Sequence, residues 1–133
     1  MLNPSTADGD ADDPTIRRCV DFAQRWGFGG IVVVNMFALR STDPQQLLTH
    51  PDPVGRDNTK VLLSVLCADE VGPVVAAWGA NPAASGDQAL VLRRLLEAVQ
   101  VFPQCLGVTK EGHPRHPLYV PATTALQPFQ EAP

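Results

Sequence analysis

The chain contains no apolar run that approaches the roughly 20 residues of a membrane-spanning helix. Its start also lacks a basic region followed by an apolar one. Export is therefore not indicated, and we expect a cytoplasmic protein that makes no membrane contact. The three cysteines, Cys19, Cys67 and Cys105, are far apart and show no C-x-x-C spacing. This argues against a disulfide framework and against a zinc or iron–sulfur site, and we expect buried free thiols.

Positive charge is also scarce. Lys and Arg total 10 against 14 Asp and Glu, which gives a formal net charge of −4 at pH 7. This balance argues against nucleic-acid binding by bulk electrostatics, although a local basic patch remains compatible with it. No metal or cofactor is indicated. The alternating carboxylates of Asp8, Asp10, Asp12 and Asp13 lack the glycine and the distal glutamate of an EF-hand loop.

Apolar segments are what the chain does contain. With 133 residues, 44% of them hydrophobic, it is long enough for one compact domain. Ile31–Val34 are four consecutive β-branched residues behind Gly29-Gly30, which predicts a central strand that is buried on both faces. Burial of each such side chain contributes about 1.5–3 kcal/mol. Further strands are predicted at 73–78 and around 105–108.

Helical patterns separate these strands, at residues 14–26, 44–48, 56–68 and 87–99. The alternation predicts an α/β fold, a three-layer α/β/α sandwich with a mainly parallel central sheet. Residues 1–119 form this single domain, and residues 120–133 are a proline-rich tail that wraps the surface or is disordered. Met1-Leu2 is predicted to end a strand whose earlier part is absent, so that N-terminal truncation removes the first strand of the sheet.

Polar residues follow each predicted strand. Because right-handed crossovers place the carboxyl ends of parallel strands along one edge, these residues are expected to line one pocket. They are Asn3 and Ser5; Asn35, Phe37 and Arg40; Trp78; and Lys110, His113, Arg115 and His116 in the last loop. Arg17 and Arg18 oppose the dipole of their helix and are placed to serve an anion near Asn3, with an ordinary solvated face as the alternative for at least one of them. For Asn35 the alternative is a turn cap.

Several motifs resemble the bacterial family called domain of unknown function 1643. The resemblance covers nearly the whole chain. It rests on Leu2-Asn3-Pro4-Ser5-Thr6-Ala7-Asp8, Asp13-Pro14-Thr15-Ile16-Arg17-Arg18, Val34-Asn35, Ala77-Trp78-Gly79-Ala80 and Gly112-His113-Pro114-Arg115-His116-Pro117-Leu118-Tyr119.

The order of these motifs is also similar to that of the uracil-DNA glycosylase superfamily. That resemblance implies that Asn3 positions a water molecule and that Asn35 reads the amide edge of a base with two hydrogen bonds. It also implies that His113 or His116 donates to the departing base, with His113 preferred because Gly112 allows close approach of the backbone. Phe37 would stack on the ring, beside the strand end at Trp78. Ser5, Arg17, Arg40, Lys110 and Arg115 would contact the rest of the ligand.

The resemblance therefore implies a nucleobase-recognising protein, a glycosylase-like hydrolase that acts on a base in single-stranded or damaged DNA. Two alternatives stay open. One is a pocket for a free nucleotide or nucleoside, which the acidic balance favours. The other is a binding or structural protein without catalysis, in which the motifs only hold turns.

Overall fold

The structure is a computed structural model that describes residues 1–5 and 13–130. Asp8, Asp10, Asp12 and the last three residues of the predicted tail lie outside the described residues. Within them, no helix is long and apolar enough to cross a membrane.

The described part of the chain contains four α-helices, where the sequence pattern predicts them. They are α1 (Pro14–Arg25), α2 (Gln46–Thr49), α3 (Asn58–Leu66) and α4 (Asp87–Ala98), and 3-10 turns span Pro82–Ser85 and Pro117–Tyr119. The start of α1 shows why its prediction is confirmed. One carboxylate oxygen of Asp13 accepts hydrogen bonds from the main-chain N–H groups of Thr15 (2.8 Å) and Ile16 (3.3 Å), and Pro14 occupies the first helical position.

The sheet is small and mixed. Strands β1 (Val75–Ala76), β2 (Gln104–Cys105) and β3 (Gln127–Pro128) lie in the order β1-β2-β3. The β1–β2 pair is parallel and the β2–β3 pair is antiparallel. The fold is therefore α/β, but the prediction of a mainly parallel sheet is wrong. The reason is that β3 comes from the proline-rich segment, whose described part folds back and pairs with β2 instead of staying separate from the sheet.

The predicted central strand at Ile31–Val34 is also wrong as a buried element. These residues have no strand assignment, and Ile31, Val32 and Val33 are 36%, 66% and 36% exposed. The segment that pairs with them extends only as far as Met1. The Met1 nitrogen donates to the Val34 carbonyl (2.9 Å), and the Met36 N–H donates to the Met1 carbonyl (3.0 Å). Met1 therefore lies opposite Asn35 in parallel register, and no described segment continues this pairing beside residues 31–33.

Among residues 1–5 and 13–130, two apolar clusters form the core. The larger one joins α3 and α4 to the residues after the 31–34 segment, and its buried members include Met36, Phe37, Leu66, Trp78 and Leu96. The smaller one packs α1 on the last loop and contains Phe22, Leu106 and Val120. Cysteine burial follows the expectation only in part, since Cys105 is buried, Cys19 is half-buried and Cys67 is exposed.

Two carboxamide side chains fix the chain where the 31–34 segment enters the core. We call Asn58 and Gln88 the carboxamide clamp. The Asn58 amide nitrogen donates to the carbonyls of Asn35 (3.0 Å) and Met36 (3.1 Å), and the Gln88 amide nitrogen donates to the same Met36 carbonyl (2.8 Å). Because Met36 is almost fully buried, its carbonyl has little access to water and depends on these donors.

We expect the double variant Asn58→Ala/Gln88→Ala to lose more stability than the sum of the two single variants. Each single change leaves the Met36 carbonyl one donor and costs about 1 kcal/mol, whereas the double change leaves it unsatisfied at about 1–3 kcal/mol more. Urea unfolding of the four chains measures the coupling. The control is Lys60→Ala on the exposed face of α3, which should change stability by under about 0.5 kcal/mol. Simple additivity would show that the two donors do not share one carbonyl.

The amino group of Met1 is buried at the end of this pairing. Burial lowers its pKa from 8.0 to about 6, while the nearby Cys19 thiol acts in the opposite direction. The folded chain therefore holds fewer protons than the unfolded chain between these two values, and stability must rise with pH across that range. Two pKa units correspond to about 2–3 kcal/mol.

We expect the free energy of unfolding to fall as the pH is lowered from 8 to 6, through titration of Met1. Urea unfolding at several pH values in this window measures the slope. The matched control is the same chain with an acetylated amino terminus, which cannot titrate there. A slope that survives acetylation would assign the pH dependence to another group, with His116 the first to test.

Candidate functional site

Asn3 holds the turn that follows the paired residues Met1 and Leu2. Its amide nitrogen donates to the carbonyls of Ser41 (2.9 Å) and Leu39 (3.2 Å), and to that of Pro4 (3.2 Å). The nitrogen is thus committed to main-chain acceptors. The side-chain oxygen accepts no hydrogen bond from any described residue and is the atom that remains for a water molecule or a ligand.

Ser5 and Asp13 extend this turn toward α1. The Ser5 hydroxyl donates to one Asp13 oxygen at 3.0 Å, while the other oxygen caps the helix. Burial acts to raise the pKa of Asp13, but the hydrogen bonds from Ser5, Ile16 and Thr15 outweigh it, so the pKa lies below its usual value. Asp13 is therefore an ionised carboxylate at neutral pH. It is unsuited to general-acid work and suited to orienting neighbouring donors.

His116 is the half-buried imidazole near these groups. Burial lowers its pKa, the Met1 ammonium lowers it further, and the Asp13 carboxylate opposes the shift. Its Nδ1 accepts a hydrogen bond from the Leu118 N–H at 3.3 Å. A neutral imidazole whose Nδ1 accepts must carry its proton on Nε2, so His116 presents one fixed N–H donor.

The loop that carries the histidines packs against the Trp78-Gly79 turn, as the convergence of strand ends requires. The Gly79 N–H donates to the Pro114 carbonyl at 2.9 Å. Gly79 has φ +75°, and a Cβ built there would lie 3.4 Å from the His116 Cβ. His113 is positioned differently, because its main chain pairs with Thr109 across the loop.

The predicted aromatic residues lie in the core. Phe37 and Trp78 are 4% and 7% exposed, and the Trp78 ring meets the Phe129 ring edge-on at 5.5 Å. The protein already covers almost all of the Phe37 surface. Stacking of Phe37 on a ligand stays a prediction. Asn35 is half-buried opposite Met1, and its side chain makes none of the hydrogen bonds found among the described residues.

Three of the five cationic residues that the sequence places near the ligand donate to main-chain carbonyls. Arg40 donates to the Ser5 carbonyl (3.3 Å) and Arg115 to the Val108 carbonyl (3.1 Å). Arg17 is exposed and engaged in an interaction of its own, and Lys110 is exposed. Arg18, which the sequence places with Arg17 near the Asn3 turn, instead donates to the carbonyls of Pro117 and Val120 and so fixes the loop after His116 on α1.

The large cavity of the fold is not formed by these residues. It measures about 470 Å³ and is lined by apolar side chains of α1, α3, residues 30–34 and residues 71–75. None of the predicted site residues lines it. Three of the predicted site residues instead lie near Met1. Met1 is opposite Asn35 and two residues before Asn3, and its charge is close enough to affect the pKa of His116.

Sequence reasoning did not place Asp13, Asn58 or Gln88 in the site. Asp13 is recognisable from the sequence as a helix cap, but its partnership with Ser5 spans the residues 6–12 between them and leaves no local pattern. The two clamp residues lie far along the chain from the carbonyls that they hold. No periodicity or motif indicates them.

No curated protein and no solved structure matches the chain. A family model, in contrast, matches residues 1–118 and so covers every candidate site residue named above. The chain belongs to the family described as Protein of unknown function (DUF1643).

Proposed function

We propose that the chain recognises a nucleobase beside Asn3, Asn35 and His116 and hydrolyses the N-glycosidic bond of that base in nucleic acid. The observation that carries the proposal is the fixed state of His116, a neutral imidazole with Nδ1 anchored on the Leu118 N–H and a donor at Nε2. Departure of a base places negative charge on its carbonyl oxygen, and a positioned neutral N–H donor stabilises that charge.

The two asparagines supply the complementary groups. The Asn35 carboxamide has one acceptor and two donors that no described residue uses, which suits the donor–acceptor edge of a pyrimidine. The free oxygen of Asn3 is available to orient an attacking water molecule, because the nitrogen of the same amide is held by two carbonyls. Asp13 keeps the Ser5 turn in place beside them.

We expect His116→Ala to reduce release of uracil, or of another altered base, from single-stranded DNA by on the order of 100-fold or more, the usual effect of removing one such donor. Strand scission at the resulting abasic site reports the reaction. The matched control is His50→Ala, because His50 Nδ1 also accepts a main-chain N–H two residues ahead, from Asp52 at 3.1 Å. Equal activity of both variants and the unchanged chain would remove His116 from the mechanism.

We expect Asn35→Ala to keep the stability within about 1 kcal/mol and to abolish binding of the base, because only main-chain atoms of Asn35 take part in the fold. Urea unfolding and titration with a base-containing oligonucleotide measure the two effects. Asn81→Ala is the contrast: the Asn81 oxygen caps a 3-10 turn through the Ala83 N–H at 2.9 Å, so it should lose stability and keep binding. Retained binding in Asn35→Ala would favour the turn-cap interpretation.

A free nucleoside or nucleotide is the second candidate ligand. The observation that favours it is the use of Arg18, Arg40 and Arg115 as donors to main-chain carbonyls, together with the net charge of −4. These bonds fix the guanidinium groups on the main chain and occupy N–H donors that a run of phosphates would need. A thermal-shift screen of bases, nucleosides and oligonucleotides separates the two ligands, and a binding or structural role without catalysis predicts no shift with any of them.

A further inference from the structure

Among the described residues, two aromatic side chains are largely exposed. They are Phe102 (88%) and Tyr119 (78%), whereas Phe37 and Trp78 are buried. Of the two, Tyr119 contacts a residue of the candidate site. Its ring centroid lies 5.4 Å from that of the His116 imidazole, and the two ring planes are tilted by 44°. The Tyr119 ring therefore offers an uncovered aromatic surface beside the proposed hydrogen-bond donor.

The 3-10 turn that ends at Tyr119 is fixed on both sides. The Tyr119 N–H donates to the His116 carbonyl at 3.0 Å. Pro117 and Val120 are buried on either side of the exposed ring. The Arg18 guanidinium donates to the carbonyls of both, at 3.4 and 2.7 Å. The ring is thus exposed on a firmly held turn, and its place relative to the imidazole is set by the main chain.

An exposed aromatic ring in a fixed place suits a flat ligand. Nucleobases stack on aromatic side chains, because every base has a π-face. A tyrosine gives this contact area at a low cost in conformational entropy, since it has two side-chain torsions. A base that accepts from His116 Nε2 comes within about 3 Å of the imidazole, and the Tyr119 ring can then reach its face. Phe37 could do so only by leaving the core, because it is 4% exposed.

We propose that Tyr119 is the stacking residue of the candidate site and covers the face of the base whose edge contacts His116. Tyr119 thereby takes the role that the sequence predicts for Phe37. This role rests on the proposed function for the class of ligand and not for its hydrolysis, since a base can stack without being cleaved. The aromatic ring carries the contact, so phenylalanine can replace the tyrosine.

The chain contains one tyrosine, so the ring protons of Tyr119 can be followed by NMR without ambiguity. The probes are the nucleoside deoxyuridine, a single-stranded oligonucleotide of adenines with one deoxyuridine, and the same oligonucleotide with an abasic residue in that place. The deoxyuridine carries fluorine on the 2′ carbon, which slows loss of the base and keeps the probe intact. We expect saturable upfield shifts of the Tyr119 signals with the base-containing oligonucleotide and none with the abasic one.

Three variants test the ring by titration with the same oligonucleotide. Tyr119→Ala should weaken binding about tenfold or more, the usual effect of removing one base–aromatic stack. Tyr119→Phe should stay within about twofold of the unchanged chain, because it keeps the ring. The matched control is Phe102→Ala, which removes the other exposed ring and should leave binding unchanged. Since both rings are exposed, all three variants should melt within about 3 °C of the unchanged chain.

Tyr119 signals that no probe shifts, or equal binding by Tyr119→Ala and the unchanged chain, would overturn the proposal. An equal loss in Phe102→Ala would also overturn it, since any exposed ring would then bind the oligonucleotide. So would an equal loss in Tyr119→Phe, which would assign the contact to the hydroxyl. Shifts with deoxyuridine alone support the stack for a free nucleoside, and shifts with the oligonucleotide only support it for nucleic acid.

Hydrolysis is measured separately, as release of uracil from the oligonucleotide without fluorine. Ring-dependent binding without release would remove the proposed hydrolysis and support the stack. Release and binding that are both unchanged in Tyr119→Ala would overturn the stack and leave the proposed hydrolysis in place.

Discussion

The placement of Met1 beside residues 34–36 is the constraint on which the rest of the structure depends. Two hydrogen bonds put Met1 opposite Asn35, and a third, from the Phe37 N–H to the Leu2 carbonyl (2.9 Å), carries the contact into the core. Asn3 then falls where it can hold the Leu39 and Ser41 carbonyls. A shift of this register by one residue would move both asparagines and would expose Phe37.

The polar side chains of this fold donate hydrogen bonds to main-chain carbonyls more than they form charged pairs. Asn3, Asn58, Gln88, Arg18, Arg40 and Arg115 all donate to carbonyl oxygens. The ion pairs among the described residues lie on the surface, as in Arg25–Asp21 and Arg93–Glu97, where such pairs contribute little. With strands only two residues long, many backbone groups have no ladder partner, and side chains take over that role.

The helices could be predicted from local sequence patterns. The strands depend on pairing between residues that are far apart in the chain. The Asp13-Pro14 signal is complete within four residues and is confirmed. The run Ile31–Val34 has the composition of a buried strand, but burial needs neighbours on both edges, and only one short neighbour is in place. Within α4, Leu92 and Leu96 are buried, while Leu90 and Val91 are exposed. The carboxamide clamp could not be predicted from local sequence patterns, because Gln88 is 52 residues from Met36.

The outer edge of β3 differs from the outer edge of β1 because it contains Pro128. The Phe129 N–H bonds to the Pro103 carbonyl at 2.9 Å, so the Gln104–Pro128 pair directs the Pro128 backbone outward, away from β2. Proline has no N–H, and the outer edge of β3 thus offers no donor at its centre. A strand added at this edge would therefore lack one hydrogen bond that the edge of β1, which has no proline at Val75 or Ala76, can supply. The prolines of this segment thus disfavour pairing between sheet edges on this side of the fold.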